Sequence, residues 1–127
     1  MNQNTGIEKN KRIYLYALLI GYACLLMFFC TKSSPLYIIN DWYDANAYFT
    51  MGKGMMNGAV PYRDLFDHKG PLLYLLYGIG YLIDSTGFFG IFLIQSIFMS
   101  LTMIFCYKIA KLYIDNYFHA IIISMLV

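Results

Sequence analysis

The chain contains a polar interval that begins with NDWYDANAYFT (residues 40–50) and closes with GAVPYRDLFDHKGP (residues 58–71). It is the one long polar interval between apolar runs, and it contains four of the seven acidic residues. It also contains one of the two histidines. We therefore expect the flanking runs to be membrane helices, and the interval to be an external loop that carries any chemistry of the protein.

The composition is typical of a membrane protein. The 127 residues are 60% hydrophobic and only 13% charged, whereas soluble domains carry about 25% charged residues. The net charge is only +2, and the sequence has no basic stripe or zinc spacing, so no nucleic acid partner is expected. Cys24, Cys30 and Cys106 all lie within apolar runs, which favours small hydrophobic helix residues over a disulfide framework.

The first apolar run predicts an uncleaved transmembrane helix over residues 13–30. The run has no charge and is long enough to span a bilayer. The preceding residues 1–12 include three basic side chains, which predicts a cytoplasmic N-terminus and an external loop over residues 31–70. A signal peptide would need a small-residue cleavage site after the run, and the sequence offers none.

Three more apolar segments complete an all-α, multi-pass membrane domain over residues 1–127. Residues 71–83 are the predicted second span, and residues 88–107 are the third. Residues 117–127 start a fourth span but supply only about half of its length. We therefore expect the chain to be the N-terminal part of a larger protein.

The predicted second span, residues 71–83, leaves two topologies open. If residues 71–83 span the membrane, Lys108 and Lys111 lie outside, against the positive-inside tendency. If the segment is re-entrant, both lysines lie inside and the tendency is obeyed. Two lysines in a short loop decide little, so spanning is the expectation, partly because of the resemblance described below.

A short amphipathic helix is predicted over residues 44–56, lying in the membrane interface. Apolar residues recur there near helical spacing. Asn40 or Asp41 is the candidate N-cap. Gly52 and Gly54 lower helix propensity, so a break in this helix is expected.

The polar interval resembles a family of membrane transferases. It contains Trp42-Tyr-Asp44-Ala-Asn-Ala-Tyr48 and then Gly58-x-x-Pro61-Tyr62-x-Asp64-x-x-x-x-Lys69-Gly70-Pro71-Leu72. This ordered set is similar to the multi-spanning glycosyltransferases of the GT-C architecture, which use lipid-phosphate sugars. It resembles most the bacterial relatives of protein O-mannosyltransferases and of the aminoarabinose transferase of lipid A. The likeness extends from the first to the third predicted helix.

The resemblance implies a transferase that acts at the outer face of the cell membrane. The donor would be a polyprenyl-phosphate-linked sugar, and the acceptor would be a hydroxyl of a cell-envelope lipid, polysaccharide or protein. The family's catalytic base matches Asp44, with Asp41 as a nearby rival, and its donor-phosphate cation matches Lys69. Ala45 and Gly70 depart from the pattern, because many relatives have an acidic residue and a proline there.

The chemistry of glycosyl transfer suits these residue types. The acceptor hydroxyl loses a proton as it attacks, and a carboxylate with a pKa raised by partial burial can take that proton. The leaving phosphate needs fixed cations, which Lys69 and the auxiliary Arg63 would supply. From the pattern alone, Asp44 is equally a solvated loop acid or helix cap, and Lys69 is equally a lysine that reaches lipid headgroups.

Accessory roles are assigned to five other residues of the interval. Tyr48 and Tyr62 are candidates for an accessory role at the site, although tyrosines are also common at membrane interfaces. Asp64, Asp67 and His68 are candidate ligands of a divalent ion. One histidine beside two carboxylates is a weak metal signal, so no metal site or cofactor is assigned.

A non-catalytic membrane protein is the alternative function. It would be a transporter fragment, an assembly subunit or an inactive remnant. A transporter would be expected to have polar interruptions inside its spans. Gln95-Ser96 and Gly78-x-Gly80 come closest to that pattern.

Overall fold

Five helices make up the part of the chain that the computed structural model describes, residues 3–126, with side chains from residue 10 onward. They are α1 (Gln3–Cys30), α2 (Tyr43–Met56), α3 (Pro71–Ile83), α4 (Phe89–Tyr113) and α5 (Tyr117–Met125). Within residues 3–126 no strand forms, and the only pairing of that kind is an isolated bridge between Pro61 and Leu65. The predicted all-α class is confirmed.

Two helices, α1 and α4, are long and apolar enough to cross a membrane. The candidate span in α1 is Asn10–Cys30, with 21 residues, and α4 has 25. At a rise of about 1.5 Å per residue, both match the roughly 30 Å thickness of the hydrocarbon core. Large apolar side chains are exposed on both helices, among them Leu25 and Phe105. Such exposed apolar surfaces suit contact with lipid.

The third helix is apolar but short. α3 starts at Pro71, after Gly70 in an extended conformation, and it stops before Asp84. Its 13 residues give a length of only about 20 Å, whereas a vertical span needs about 20 residues. The helix has the bounds that the sequence predicts, and its role as a second span stays a prediction.

The chain divides into two compact units, of which one consists of Met1–Leu26 with Ser96–Val127. Its core contains Leu19 of α1, Tyr107 and Ala110 of α4, and Ala120 of α5. The two alanines let helix backbones approach closely, as small residues do in membrane bundles. α5 begins where the Asn116 side chain accepts a hydrogen bond from the backbone N–H of Phe118, at 2.9 Å.

In the other unit, Met27–Gln95, α2 packs directly on α3. The contact is closest at Gly52 and Gly78, where a Cβ on Gly52 would collide with backbone atoms of α3. The predicted break in α2 is therefore wrong, because α2 runs unbroken through Gly52 and Gly54. Gly52 allows close helix packing, and that packing offsets its low helix propensity.

The predicted N-cap of α2 is also wrong. The N-cap position is Trp42, and its side chain makes no capping bond. Asn40 instead accepts the backbone N–H of Trp42 at 3.1 Å, which forms a turn just before the helix. Asn46 donates from its side chain to the carbonyls of Asn40 and Trp42, at 2.8 Å each. These bonds fix the entry of the chain into α2 without a side-chain cap.

Candidate functional site

Four tyrosines gather where α2, α3 and the loop between them meet, and we call them the tyrosine cluster: Tyr48, Tyr62, Tyr74 and Tyr77. The ring of Tyr48 lies 5.6 Å from that of Tyr77 and 6.4 Å from that of Tyr74. The ring of Tyr62 lies 6.3 Å from that of Tyr74. Tyr74 is fully buried. The α2–α3 packing therefore brings Tyr48 and Tyr62, both predicted from sequence, around a tyrosine that the sequence did not single out.

Lys69 is held through its main chain by this cluster. Its backbone N–H donates to the hydroxyl of Tyr74 at 2.9 Å, and its carbonyl accepts the hydroxyl of Tyr62. The Lys69 side chain is half-buried and has no ion pair among the described residues. The backbone of Lys69 is therefore fixed, while its ammonium group is free for a ligand.

Tyr62 reaches Lys69 from an unusual backbone conformation. Its φ is +67°, in the left-handed region that residues other than glycine seldom adopt. Its backbone N–H donates to the carbonyl of Leu65 at 2.7 Å, which closes a tight turn. The turn directs the phenol towards Lys69 and Tyr74, at a conformational cost of about 1–2 kcal/mol.

Asp44 lies in the first turn of α2, one turn before Tyr48. Its side chain is exposed, which differs from the partly buried base expected from the sequence, and it has no hydrogen bond or ion pair to any described residue. Asp41, the rival base, instead forms an ion pair with Lys32 at 3.3 Å.

Arg63 and Asp64 bind each other. The guanidinium donates from Nε to Oδ1 and from Nη2 to Oδ2, both at 2.8 Å. Arg63 lowers the pKa of Asp64 below its usual value, and the backbone N–H of Val60 lowers it further. The positive charge proposed for phosphate is therefore largely neutralised at Arg63, and Asp64 serves the turn between Val60 and Asp64.

Asp67 and His68 also form a local pair. Oδ1 of Asp67 accepts the backbone N–H of His68 at 2.7 Å and lies 3.0 Å from Nδ1 of its ring. The first of these bonds is the main reason that the pKa of Asp67 is low. Among the described residues, no three His, Cys, Asp or Glu side chains form a group that could hold a metal ion.

A cavity of about 440 Å³ lies elsewhere in the same unit. Its walls come from the segment after α1, from α2 and from the turn before α4, and they include Ser33, Asn40, Phe49 and Asp84. Asp44 and Lys69 are not among its lining residues. Apart from Asn40, predicted as a helix cap, these residues could not be grouped from the sequence, because the cavity forms from segments far apart along the chain.

Within the loop of residues 31–70, three described charged side chains have no ion pair, namely Asp44, Lys53 and Lys69, and Lys53 lies against the ring of Tyr81. Asp44 lies one helical turn before Tyr48 of the tyrosine cluster, and the backbone N–H of Lys69 donates to Tyr74 of the same cluster. The resemblance to lipid-phosphate-sugar transferases stays a prediction from the sequence. Comparisons with protein-family models, with curated proteins and with solved structures found no match to this chain.

Proposed function

We propose that this chain carries the base and the donor-phosphate cation of a membrane glycosyltransferase. The enzyme would move a sugar from a polyprenyl phosphate to a hydroxyl of the cell envelope. The pairing of charges in the external loop carries the proposal. Asp41, Asp64 and Asp67 each have a basic partner, whereas Asp44 has none among the described residues. Lys53 and Lys69 also have no ion pair there, but Lys53 lies against the ring of Tyr81, outside the tyrosine cluster.

The start of α3 suits a phosphate group. Lys69 lies two residues before Pro71, and the intervening Gly70 has no side chain to cap the helix. The N-terminus of a helix carries partial positive charge and attracts anions. The ammonium group of Lys69 would add a full charge at the same place.

The proposed reaction is a single displacement. The acceptor oxygen forms a bond to the anomeric carbon while the bond from that carbon to the phosphate oxygen breaks. Asp44 takes the proton of the acceptor hydroxyl, and Lys69 stabilises the phosphate that leaves with the electron pair. The anomeric configuration is inverted. The proposed reaction assigns no step to the divalent ion considered from the sequence.

The proposal includes a topology with two spans, α1 and α4, and with α2 and α3 at the outer surface of the cell membrane. In the unit of Met1–Leu26 and Ser96–Val127, the start of the α1 apolar run and the end of α4 line one cavity. Arg12, Lys108 and Lys111 would then share one side, which the positive-inside tendency assigns to the cytoplasm. This is the re-entrant alternative for residues 71–83, in which α3 does not cross the membrane.

The donor half of the proposal is tested by the lipid that co-purifies with the protein. We expect mass spectrometry of the protein, extracted in mild detergent, to detect a sugar linked to polyprenyl phosphate. Lys69→Gln is expected to lose most of this lipid, because the cation at its phosphate is removed. Lys53→Gln is the matched control, since Lys53 lies against the ring of Tyr81 and outside the cluster. Failure to find any polyprenyl lipid would favour the non-catalytic alternative.

The catalytic half is tested by comparing two aspartates of the same loop. Asp44→Asn is expected to lower the rate of sugar transfer by about 10²–10⁴-fold, the usual contribution of a general base. Donor retention should not change. Asp41→Asn should keep most of the activity, because Asp41 is already paired with Lys32. Full transfer by the Asp44→Asn protein would remove this residue from the mechanism.

A further inference from the structure

A second cavity, of about 600 Å³, lies in the unit of Met1–Leu26 and Ser96–Val127. Its described lining side chains come from α1, α4 and α5: Lys11, Arg12, Leu15, Tyr16, Tyr107, Lys108, Lys111 and Tyr117. Four of these eight are cationic and none is acidic. We call it the basic cavity. Its volume lies in the range of about 300–1,000 Å³ that is typical of ligand pockets.

No acidic side chain lies among the described residues that line the basic cavity. Lys111 donates from Nζ to the carbonyls of Ile114, at 3.2 Å, and Asp115, at 2.6 Å, and it lies 4.2 Å from the ring centre of Tyr117. These partners orient the ammonium group but carry no net charge. Like charges around one cavity repel each other. An anion bound between them would relieve that repulsion.

The cavity lies where two apolar helices would leave the membrane. Arg12 immediately precedes the uncharged run of α1, and Lys108 follows the apolar part of α4. If both helices span, these side chains reach the level of the lipid headgroups. Leu15 and Tyr107 then form the part of the wall that faces the hydrocarbon core. Basic pockets between membrane helices at this level are typical binding sites for acidic headgroups.

We infer that the basic cavity binds the phosphate of an anionic glycerophospholipid. The guanidinium of Arg12 can donate two parallel hydrogen bonds to a phosphate, while Lys108 and Lys111 supply point charges. A lipid such as phosphatidylglycerol adds only hydroxyl groups beyond the phosphate. A choline headgroup would bring a further cation among four. The cavity should therefore discriminate between these two lipids, and this inference does not depend on the proposed glycosyl transfer.

The inference is tested by native mass spectrometry of the protein in mild detergent. Phosphatidylglycerol and phosphatidylcholine with identical acyl chains are titrated separately. We expect the protein to bind phosphatidylglycerol at least about tenfold more tightly, given the attraction of several basic side chains. Equal binding of the two lipids would refute the site, and this comparison needs no variant.

Two double variants locate the binding. Lys108→Gln with Lys111→Gln is expected to weaken phosphatidylglycerol binding by about tenfold or more. Lys32→Gln with Lys53→Gln removes the same charge from the other compact unit and should leave binding unchanged. Unchanged affinity of the first variant would overturn the inference. Displacement of the lipid by millimolar inorganic phosphate would also overturn it, because it would identify a site for soluble anions.

Discussion

At the scale of single residues, the loop before α3 and the turn after it are organised by aspartates that accept hydrogen bonds from nearby backbone N–H groups. Asp64 accepts the N–H of Val60 at 2.8 Å, and Asp67 accepts that of His68 at 2.7 Å. Asp84 accepts the N–H of Thr86 at 3.0 Å. Carboxylates held in this way serve local structure. Asp44 makes no such bond and no ion pair among the described residues, whereas Asp41 pairs with Lys32, and for that reason Asp44 is the residue that we assign to chemistry.

The turn between α3 and α4 is expected to loosen in acid. The backbone N–H of Thr86, then its hydroxyl, lower the pKa of Asp84 below its ordinary value. A depressed folded-state pKa stabilises the fold above the unfolded pKa of about 3.9. That stabilisation is lost as the pH falls below about 4 and through the folded pKa.

The measurement for this residue is hydrogen exchange at the amides of Thr86 and Gly87. In the native chain, exchange at both amides should quicken as the pH falls below about 4, after correction for the intrinsic pH dependence. Asp84→Asn keeps one acceptor oxygen but cannot titrate. It should show no such pH dependence, and an identical pH profile in the two proteins would contradict this account.

At the scale of elements, the sequence predicts helix ends better than helix contacts. Pro71 is a local signal for a helix start, and α3 begins there, while α2 ends at Met56 as predicted. α4 continues to Tyr113, past the predicted end at residue 107, because Lys108 and Lys111 extend their side chains while the backbone stays helical. The role of Gly52 was missed, because helix propensity is local whereas packing against Gly78 is tertiary.

Substitution of the two glycines in α2 separates packing from propensity. Both Gly52→Ala and Gly54→Ala gain the same helix propensity, up to about 1 kcal/mol. A Cβ at position 52 would meet the backbone of α3, whereas at position 54 it would meet the side chain of Leu65, which can move. Gly52→Ala should therefore be less stable than Gly54→Ala by about 1–3 kcal/mol, the usual cost of overpacking. Chemical unfolding in detergent measures the difference, and equal stabilities would refute the close α2–α3 contact.

At the scale of the whole molecule, composition gives the class but not the number of spans. A high apolar content predicts membrane helices, and α1 and α4 are long enough to be such helices. The sequence could not decide on residues 71–83, because hydropathy alone does not separate a short span from a helix at the membrane surface. It also gave no sign of the basic cavity, whose lining residues are far apart along the chain.

Labelling of single cysteines distinguishes the two topologies. In a background without Cys24, Cys30 and Cys106, Asn57→Cys should react with a membrane-impermeant maleimide from outside the cell. With two spans, Asn116→Cys should react only after the membrane is opened. Reaction of position 116 from outside would support three spans. Labelling of position 57 only from the cytoplasmic side would show that the protein has the opposite orientation.

The left-handed backbone at Tyr62 has a consequence for how this loop responds to change. Glycine would adopt that backbone without strain, yet it would remove the phenol that contacts Lys69. Selection for an unstrained backbone alone would thus favour glycine at this position, whereas alanine would keep the strain. A tyrosine at this position costs some conformational stability, and its phenol holds the backbone of Lys69 in place.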